Sequence, residues 1–302
     1  LIEKVGYMKE VALVTYQDYP TLSASDQLLI EPLTEYGIQP VALCWDNPDV
    51  DWQQFDAVIL RSCWDYPQRA AEFRQWIMRL LEMNVPLYNS PQTVLWNMQK
   101  HYLHELEQHG THIIPTVWMT SSSSPSLREL LETHGWEQAV LKPTIGASGK
   151  GVQIVTRENV DQDQLQLDTL LTMGDAMLQP LVEEIRDGEL SLVFFRGDFS
   201  YAIRKMPGSG SIFVNSAYGG SRVAVDVPSQ VVQKAQLILE TAMRLTGSPP
   251  PLYARVDGVI VDGEFVLMEL ELIEPGLLMD IAPNHAASHF ARVIAEVIGK
   301  DR

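Results

Sequence analysis

The first ninety positions alternate between two hydrophobic rhythms. EVALVTY (residues 10–16) is an unbroken apolar run of strand length, and SASDQLLIEPLTEYG (23–37) follows with capping residues, helical spacing and Gly37 as a stop. IQPVALCW (38–45), FDAVILRSCW (55–64) and VPLYNS (85–90) read as further strands. QRAAEFRQWIMRLLEMN (68–84) reads as a helix with Phe73, Ile77, Leu80 and Leu81 on one stripe. This alternation predicts an α/β unit, a parallel sheet covered by helices, with ligands beyond the carboxyl ends of the strands. RSCWDYP (61–67) stands at one such end. It offers Arg61, Ser62, Trp64, Asp65 and Tyr66, a mixed set suited to a zwitterion; a buried turn packed by Trp64 and Tyr66 fits the same residues.

Beyond residue 90 the pattern changes. PQTVLWNMQKHYLHELEQHG (91–110) reads as a helical segment carrying Lys100, and HIIPTVWM (112–119) as a strand. Two hairpins follow, LSLVFFRGDFSYAIRK (190–205) and LYARVDGVIVDGEFVLMELELIEPG (252–276), separated by a Gly/Ser-rich loop (207–222) and a long helix (229–247). A final helix covers 290–299. Hairpins after a parallel unit, in a chain of 302 residues, predict two or three lobes.

The last hairpin carries the clearest chemistry. If Asp262-Gly263-Glu264 is a three-residue turn, Asp257 faces Glu269 and Arg255 faces Glu271. Val256, Ile260, Val266, Met268, Leu270 and Leu272 then share an apolar face, and the four charged residues share the other. A slip of one residue would mix the two sets, so burial chooses this register. Asp-Gly itself prefers a two-residue turn, and a bulge would reconcile both. Glu269 and Glu271 are then about 7 Å apart, two rises of roughly 3.4 Å. Three carboxylates on one face suit magnesium bridging to phosphate. A solvated acidic face with Arg255 as ion-pair partner fits the spacing as well.

LKPTIGASGKGVQIV (141–155) places Lys142 at a strand end before a glycine-rich loop, Gly146 to Gly151, whose backbone N–H groups can approach phosphate. It is not a Walker loop, because Thr144 stands where the first glycine belongs and Gly151 follows Lys150. A dinucleotide fingerprint is missing too: VTYQDYPTLS contains no Gly-x-Gly-x-x-Gly.

Composition removes several partners. A net charge of −17 and a pI near 4.7 argue against nucleic acid and anionic membranes. Cys44 and Cys63 form no disulfide framework or metal spacing. With no apolar run of membrane-spanning length and no visible signal peptide, the expected location is cytoplasmic.

Four segments, NSPQTVLWNMQKHYL, VLKPTIGASGKGVQIV, LQPLVEEIRDGELS and YARVDGVIV…LMELELIEP, resemble in their order the ATP-grasp superfamily, in its glutathione-synthetase-like branch. The resemblance implies a parallel α/β domain (1–95), a small lobe with a glycine-rich lid (96–182) and a large lobe with the metal carboxylates (183–302), the two lobes clasping ATP between antiparallel sheets. It implies that Lys100 and Lys142 contact phosphates, that Gly146, Ser148, Gly149 and Gly151 belong to a lid, and that Gln179, Pro180, Leu181 and Val182 read adenine. Glu189 matches the ribose carboxylate, and Asp257, Glu269 and Glu271 match ligands of magnesium, with manganese an acceptable substitute. Arg204, Lys205 and the loop residues Asn215, Tyr218, Gly219 and Gly220 match the segment that binds the acceptor and closes the site, and Arg255 is a further candidate for substrate or phosphate charge.

Two departures stand out: Glu271 where Asn is common, and a wider Asp257-to-Glu269 spacing than in glutathione synthetase. The implied activity is ADP-forming carboxylate–amine ligation through an acyl phosphate, on a small amino-acid-like or peptide-like substrate, in a family where homodimers are common. RSCWDYP, LWNMQKHYL and LMELELIEPGL are most similar to a subgroup that includes a cyclo-ligase acting on an O-ureido-serine derivative. A catalytically silent nucleotide-binding protein is the reading from another class.

Overall fold

A computed structural model describes residues 8–147, 149–209, 214 and 219–300. Ser148, Asn215 and Tyr218 of the expected site lie outside the described residues. Strands β1 (Lys9–Thr15), β2 (Ile38–Cys44), β3 (Ala57–Leu60) and β4 (Leu87–Tyr88) form a parallel sheet in the order β2-β1-β3-β4. The helical pattern at 23–37 is split into α1 (Ala24–Gln27), capped by the Ser23 hydroxyl, and α2 (Ile30–Glu35). Helix α3 (Ala70–Glu82) covers the other face of the sheet. It buries Phe73, Trp76, Ile77 and Leu80, whereas Leu81, predicted on that stripe, is 41% exposed.

The predicted helix at 91–110 is two helices, α4 (Pro91–Asn97) and α5 (Tyr102–Gln108). Lys100 sits in the break rather than on a helix: its backbone N–H donates to Thr144 O at 2.8 Å instead of to the preceding turn. A second sheet, antiparallel, joins β5 (Val117–Met119), β6 (Gln138–Pro143), β7 (Gln153–Thr156) and β8 (Ala176–Pro180) in the order β5-β8-β6-β7. It packs its own core against α6 (Leu127–Thr133) and α7 (Val160–Met173).

The third sheet contains β9 (Glu189–Phe195), β10 (Asp198–Met206), β11 (Ser221–Val225), β12 (Tyr253–Val261) and β13 (Glu264–Glu271), ordered β11-β10-β9-β12-β13 and antiparallel throughout. One face is apolar: Leu190, Leu192, Phe194, Ala202, Ala254 and Val256 pack against α5 and α8 (Ser229–Thr246). The other face is divided. Val193, Phe195, Tyr201, Ile203 and Tyr253 pack against α9 (Ala286–Lys300) and the first sheet, while the charged residues occupy the remainder.

The β12–β13 register pairs Arg255 with Glu271 and Asp257 with Glu269, as the burial pattern predicts. The turn does not follow that prediction. Val261 pairs with Glu264 across a two-residue Asp262-Gly263 turn, both with positive φ (51° and 81°). A bulge at Met268 absorbs the extra residue, since Gly258 pairs with Leu267 directly after Asp257 pairs with Glu269. Two residues therefore leave the predicted apolar face: Val266 and Met268 pack with Val259 on the opposite side, while Ile260 stays on it opposite Phe265 but is 36% exposed. Phe265 and Leu267 join Leu270 and Leu272 in the core instead.

Candidate active site

Strand β13 lies at the edge of its sheet, and side chains from α4 and α5 cap its outward backbone groups. Asn97 accepts from Leu272 N at 2.8 Å and donates to Leu270 O at 2.9 Å, and the Tyr102 hydroxyl accepts from Leu270 N at 3.1 Å. This fixes the strand carrying Glu269 and Glu271. Lys100, in the break just beyond α4, then reaches Glu269 with an Nζ–Oε1 distance of 2.9 Å and Gly146 O at 2.8 Å. One lysine thus ties the acidic strand to the glycine-rich loop. Gly149 and Gly151 of that loop have φ of 73° and 75°, a backbone that side-chain-bearing residues rarely adopt. Lys142, at the end of β6, makes no ion pair among the described residues. Burial pushes its ammonium down to about 8, with Lys100 acting in the same direction and Glu269 against it.

Asp257 is the hub of the charged face. Its carboxylate accepts from Ser191 Oγ (2.6 Å), Lys205 Nζ (3.1 Å), and Arg255 Nε (2.9 Å) and NH2 (2.8 Å). Burial opposes its charge, but Arg255 and Lys205 outweigh burial and hold it well below the usual range. Lys205 also pairs with Glu189 at 2.9 Å. Arg255 completes its set with Glu271 and Gly276 O (2.8 Å). Burial, joined by Glu269 and Asp257, raises Glu271 to about 7 against the pull of Arg255.

These contacts test the expected metal set. Glu269 and Glu271 each have one oxygen engaged and their side chains are 35% and 25% exposed, which suits a cation bridging one or two carboxylates to phosphate. Asp257 does not fit: both oxygens are taken, and its side chain is 3% exposed. Among the described residues no group of three acidic, His or Cys side chains is poised as a metal cage.

Other expected residues move as well. Arg61 and Ser62 are fully buried. Arg61 binds Asp26 (3.1 Å) and Pro275 O (2.7 Å), and Ser62 binds Asp26 (2.7 Å), so both join elements rather than line a cleft. Trp64 donates to Glu274 O at 3.1 Å, and Asp65 accepts from Trp45 at 2.9 Å. Gln179 is buried and donates to Thr116 at 2.8 Å; Pro180, Leu181 and Val182 lead from the second sheet towards the third. Arg204 is exposed on the face opposite Lys205, opposite Val223 in the register. Gly219 and Gly220 lie just before β11, and a side chain at Gly220 would clash with the backbone of Val214, so the strand start is tightly set.

The residue that period-two alternation does put beside Lys205 is Arg222, its register partner on β11. Arg222 has no ion pair among the described residues, its Nε is buried without an acceptor, and burial together with Arg255 lowers its guanidinium. The alternation Arg204–Lys205 was legible in sequence; the pairing partner across the loop was not.

Comparison with known proteins places this geometry in context. Residues 11–89 match a family described as the N-terminal domain of D-cycloserine synthetase DcsG, and residues 104–281 match the ATP-grasp domain of prokaryotic glutathione synthetase. The cycloserine biosynthesis protein DcsG of Streptomyces lavendulae is 32% identical over 278 residues, 89% of this chain and 92% of that protein. The crystal structure of D-cycloserine synthetase DcsG superposes with a TM-score of 0.86 at 30% identity, over 96% of this chain and 99% of that one. The D-alanine–D-alanine ligase of Bacillus anthracis shares the fold, with a TM-score of 0.70 at 18% identity over 97% and 98% of the two chains.

Proposed function

The chain belongs to the ATP-grasp family of ADP-forming ligases, in its glutathione synthetase branch, and on that premise we propose that it activates a small substrate's carboxylate as an acyl phosphate for attack by an amine. The carboxylate oxygen attacks the terminal phosphorus of ATP and ADP leaves; the amine nitrogen then attacks the acyl carbon and phosphate leaves. The observation that carries this reading is Lys100 joining the glycine-rich loop to Glu269, which puts the loop backbone and a carboxylate of β13 within reach of one ammonium. Lys100, Lys142 and the loop backbone hold the phosphates, the segment 179–182 holds the base, and Glu189 holds the ribose. Magnesium, held by Glu269 and Glu271 together with phosphate oxygens, would neutralise the transferring phosphoryl group. ATP dependence agrees with a cytoplasmic location, and among the described residues no helix is long and apolar enough to cross a membrane.

Two anions must meet for the first step, so a cation has to receive the substrate carboxylate. Arg255 has four of its five N–H donors engaged and Lys205 is doubly paired. Arg222 is free to make a two-pronged grip. Arg222→Gln should raise KM for the carboxylate substrate by about ten- to a hundredfold, the usual loss for one charged hydrogen-bonded contact. Titration calorimetry should find nucleotide affinity unchanged, and an unaltered KM would exclude Arg222 from the grip.

A second reading has its own support: 32% identity to a cycloserine biosynthesis protein, and an N-terminal match to the same kind of protein, favour an amine within the same molecule, closing a ring. ADP release measured across amino acids, dipeptides and ureido derivatives tests both. Release with a single ureido amino acid alone supports cyclisation, release that needs an acid and a separate amine supports intermolecular ligation, and no stimulation by any carboxylate would refute ligase activity on these classes.

A further inference from the structure

One carboxyl beside this site has no partner on another residue. Glu274 is 6% exposed, and among the described residues only its own backbone N–H donates to its carboxyl. Its backbone is pinned on all sides: Trp64 donates to its carbonyl at 3.1 Å, Arg61 to that of Pro275 at 2.7 Å and Arg255 to that of Gly276 at 2.8 Å. The segment is therefore held between the carboxyl end of the first sheet and the charged face of the third. The side chain lies within electrostatic reach of Cys63, Tyr66 and Tyr253 on one side and of Glu269, Glu271 and Lys100 on the other. Among the described residues no nearby cation is available to it. Arg61 is committed to Asp26 and two backbone carbonyls, and Lys100 to Glu269 and Gly146.

A buried carboxylate with no cation beside it is unfavourable in the free protein, and burial, with Glu271 adding to it and the residue's own backbone N–H opposing it, holds Glu274 well above the usual carboxylate range. A ligand bringing a compact cation with hydrogen-bond donors would relieve this. Magnesium fits poorly, because it keeps several oxygen ligands and waters, and a thiol and two phenols are the other groups within electrostatic reach of the carboxyl on that side. An ammonium group fits, with up to three donors on one nitrogen.

We propose that Glu274 binds the ammonium group of an amino-acid substrate whose carboxylate is the one activated. The inference rests on the ligase reading above and narrows it to zwitterionic substrates. Sites built to bond an N–H group reject analogues that lack it by large factors.

The test compares ATP turnover supported by amino acids and by their des-amino analogues, D-alanine against propanoate and O-ureido-D-serine against its des-amino counterpart. The wild type should favour the amino compound by at least about a hundredfold in kcat/KM. In Glu274→Gln, which preserves shape, the preference should fall to within a few fold, with nucleotide affinity and the half-saturating magnesium concentration unchanged. Glu274→Asp, which keeps the charge, should retain part of the preference. Equal turnover of both compound types by the wild type overturns the ammonium subsite and leaves the ligase reading intact. A preference that survives in Glu274→Gln also overturns it, as does a change confined to magnesium dependence, which would make Glu274 a metal ligand. ADP release with none of these compounds overturns the amino-acid reading itself, and the subsite with it. Equal wild-type turnover of the two compound types overturns the subsite even if the variants fold poorly, and Glu274→Asp gives a second folded variant in which to read the preference.

Discussion

Glu269→Gln should cut turnover by about a hundredfold or more while leaving the melting temperature and nucleotide affinity close to wild type, whereas Asp257→Asn should lower stability by about 3–5 kcal/mol. The two carboxylates face each other in the strand register yet do different work. Glu269 is partly exposed, holds one lysine and has an oxygen to spare, so its charge is available to the reaction. Asp257 is buried and neutralises Arg255 and Lys205 together. Removing that charge leaves two cations in a dry environment with one anionic partner each, Glu271 and Glu189. Thermal denaturation beside steady-state turnover distinguishes the two. If Asp257→Asn keeps the wild-type melting temperature but loses turnover, Asp257 returns to the metal-binding set.

ATP affinity should be constant below pH 8 and weaken by about tenfold per pH unit above it. The reason is Lys142, which burial holds near 8 in the free protein against an ordinary 10.5. A phosphate needs the charged form and raises the lysine's pKa on binding, so above pH 8 each nucleotide bound must take up a proton. The ligand-free protein should show the opposite trend. The unfolded chain binds more protons than the folded one between pH 8 and 10.5, so folding stability rises across that window, by roughly 1–3 kcal/mol at most. Lys142→Ala should bind ATP about a hundredfold more weakly at pH 7, show a flat affinity profile and melt no lower than wild type without ligand. Calorimetric titration from pH 7 to 10 measures this, and a wild-type profile in the variant would remove Lys142 from the phosphate site.

Local rhythm carried much of this architecture into the sequence. The parallel unit, the two hairpins and the facing of Asp257 with Glu269 all follow from where apolar residues recur. What stayed hidden depends on contacts between distant segments. Arg61 at a strand end reads as a solvent-facing charge until Asp26, on another element, is known to lie against it. Lys100 reads as a helix residue until its backbone N–H is seen to go to Thr144. Arg204 and Lys205 are adjacent in sequence and opposite in space, and only the pairing of β10 with β11 shows that Arg222 stands with the latter. The Asp262-Gly263 turn followed its own local preference, and the bulge let the hydrophobic pattern hold on the site side of it.

That bulge bears on how the hairpin could have changed length during descent. Met268 is surplus to the ladder: Asp257–Glu269 on one side of it and Gly258–Leu267 on the other are consecutive pairs. A codon gained or lost there alters the count between the two acidic residues without altering which side chains meet. The wider interval between them is thus a neutral kind of insertion as far as facing is concerned, and its physical effect is confined to extra local twist. Length differences at this point between relatives need not signal a displaced site, whereas one residue added between Glu269 and Glu271 would put the two glutamates on opposite faces of the strand.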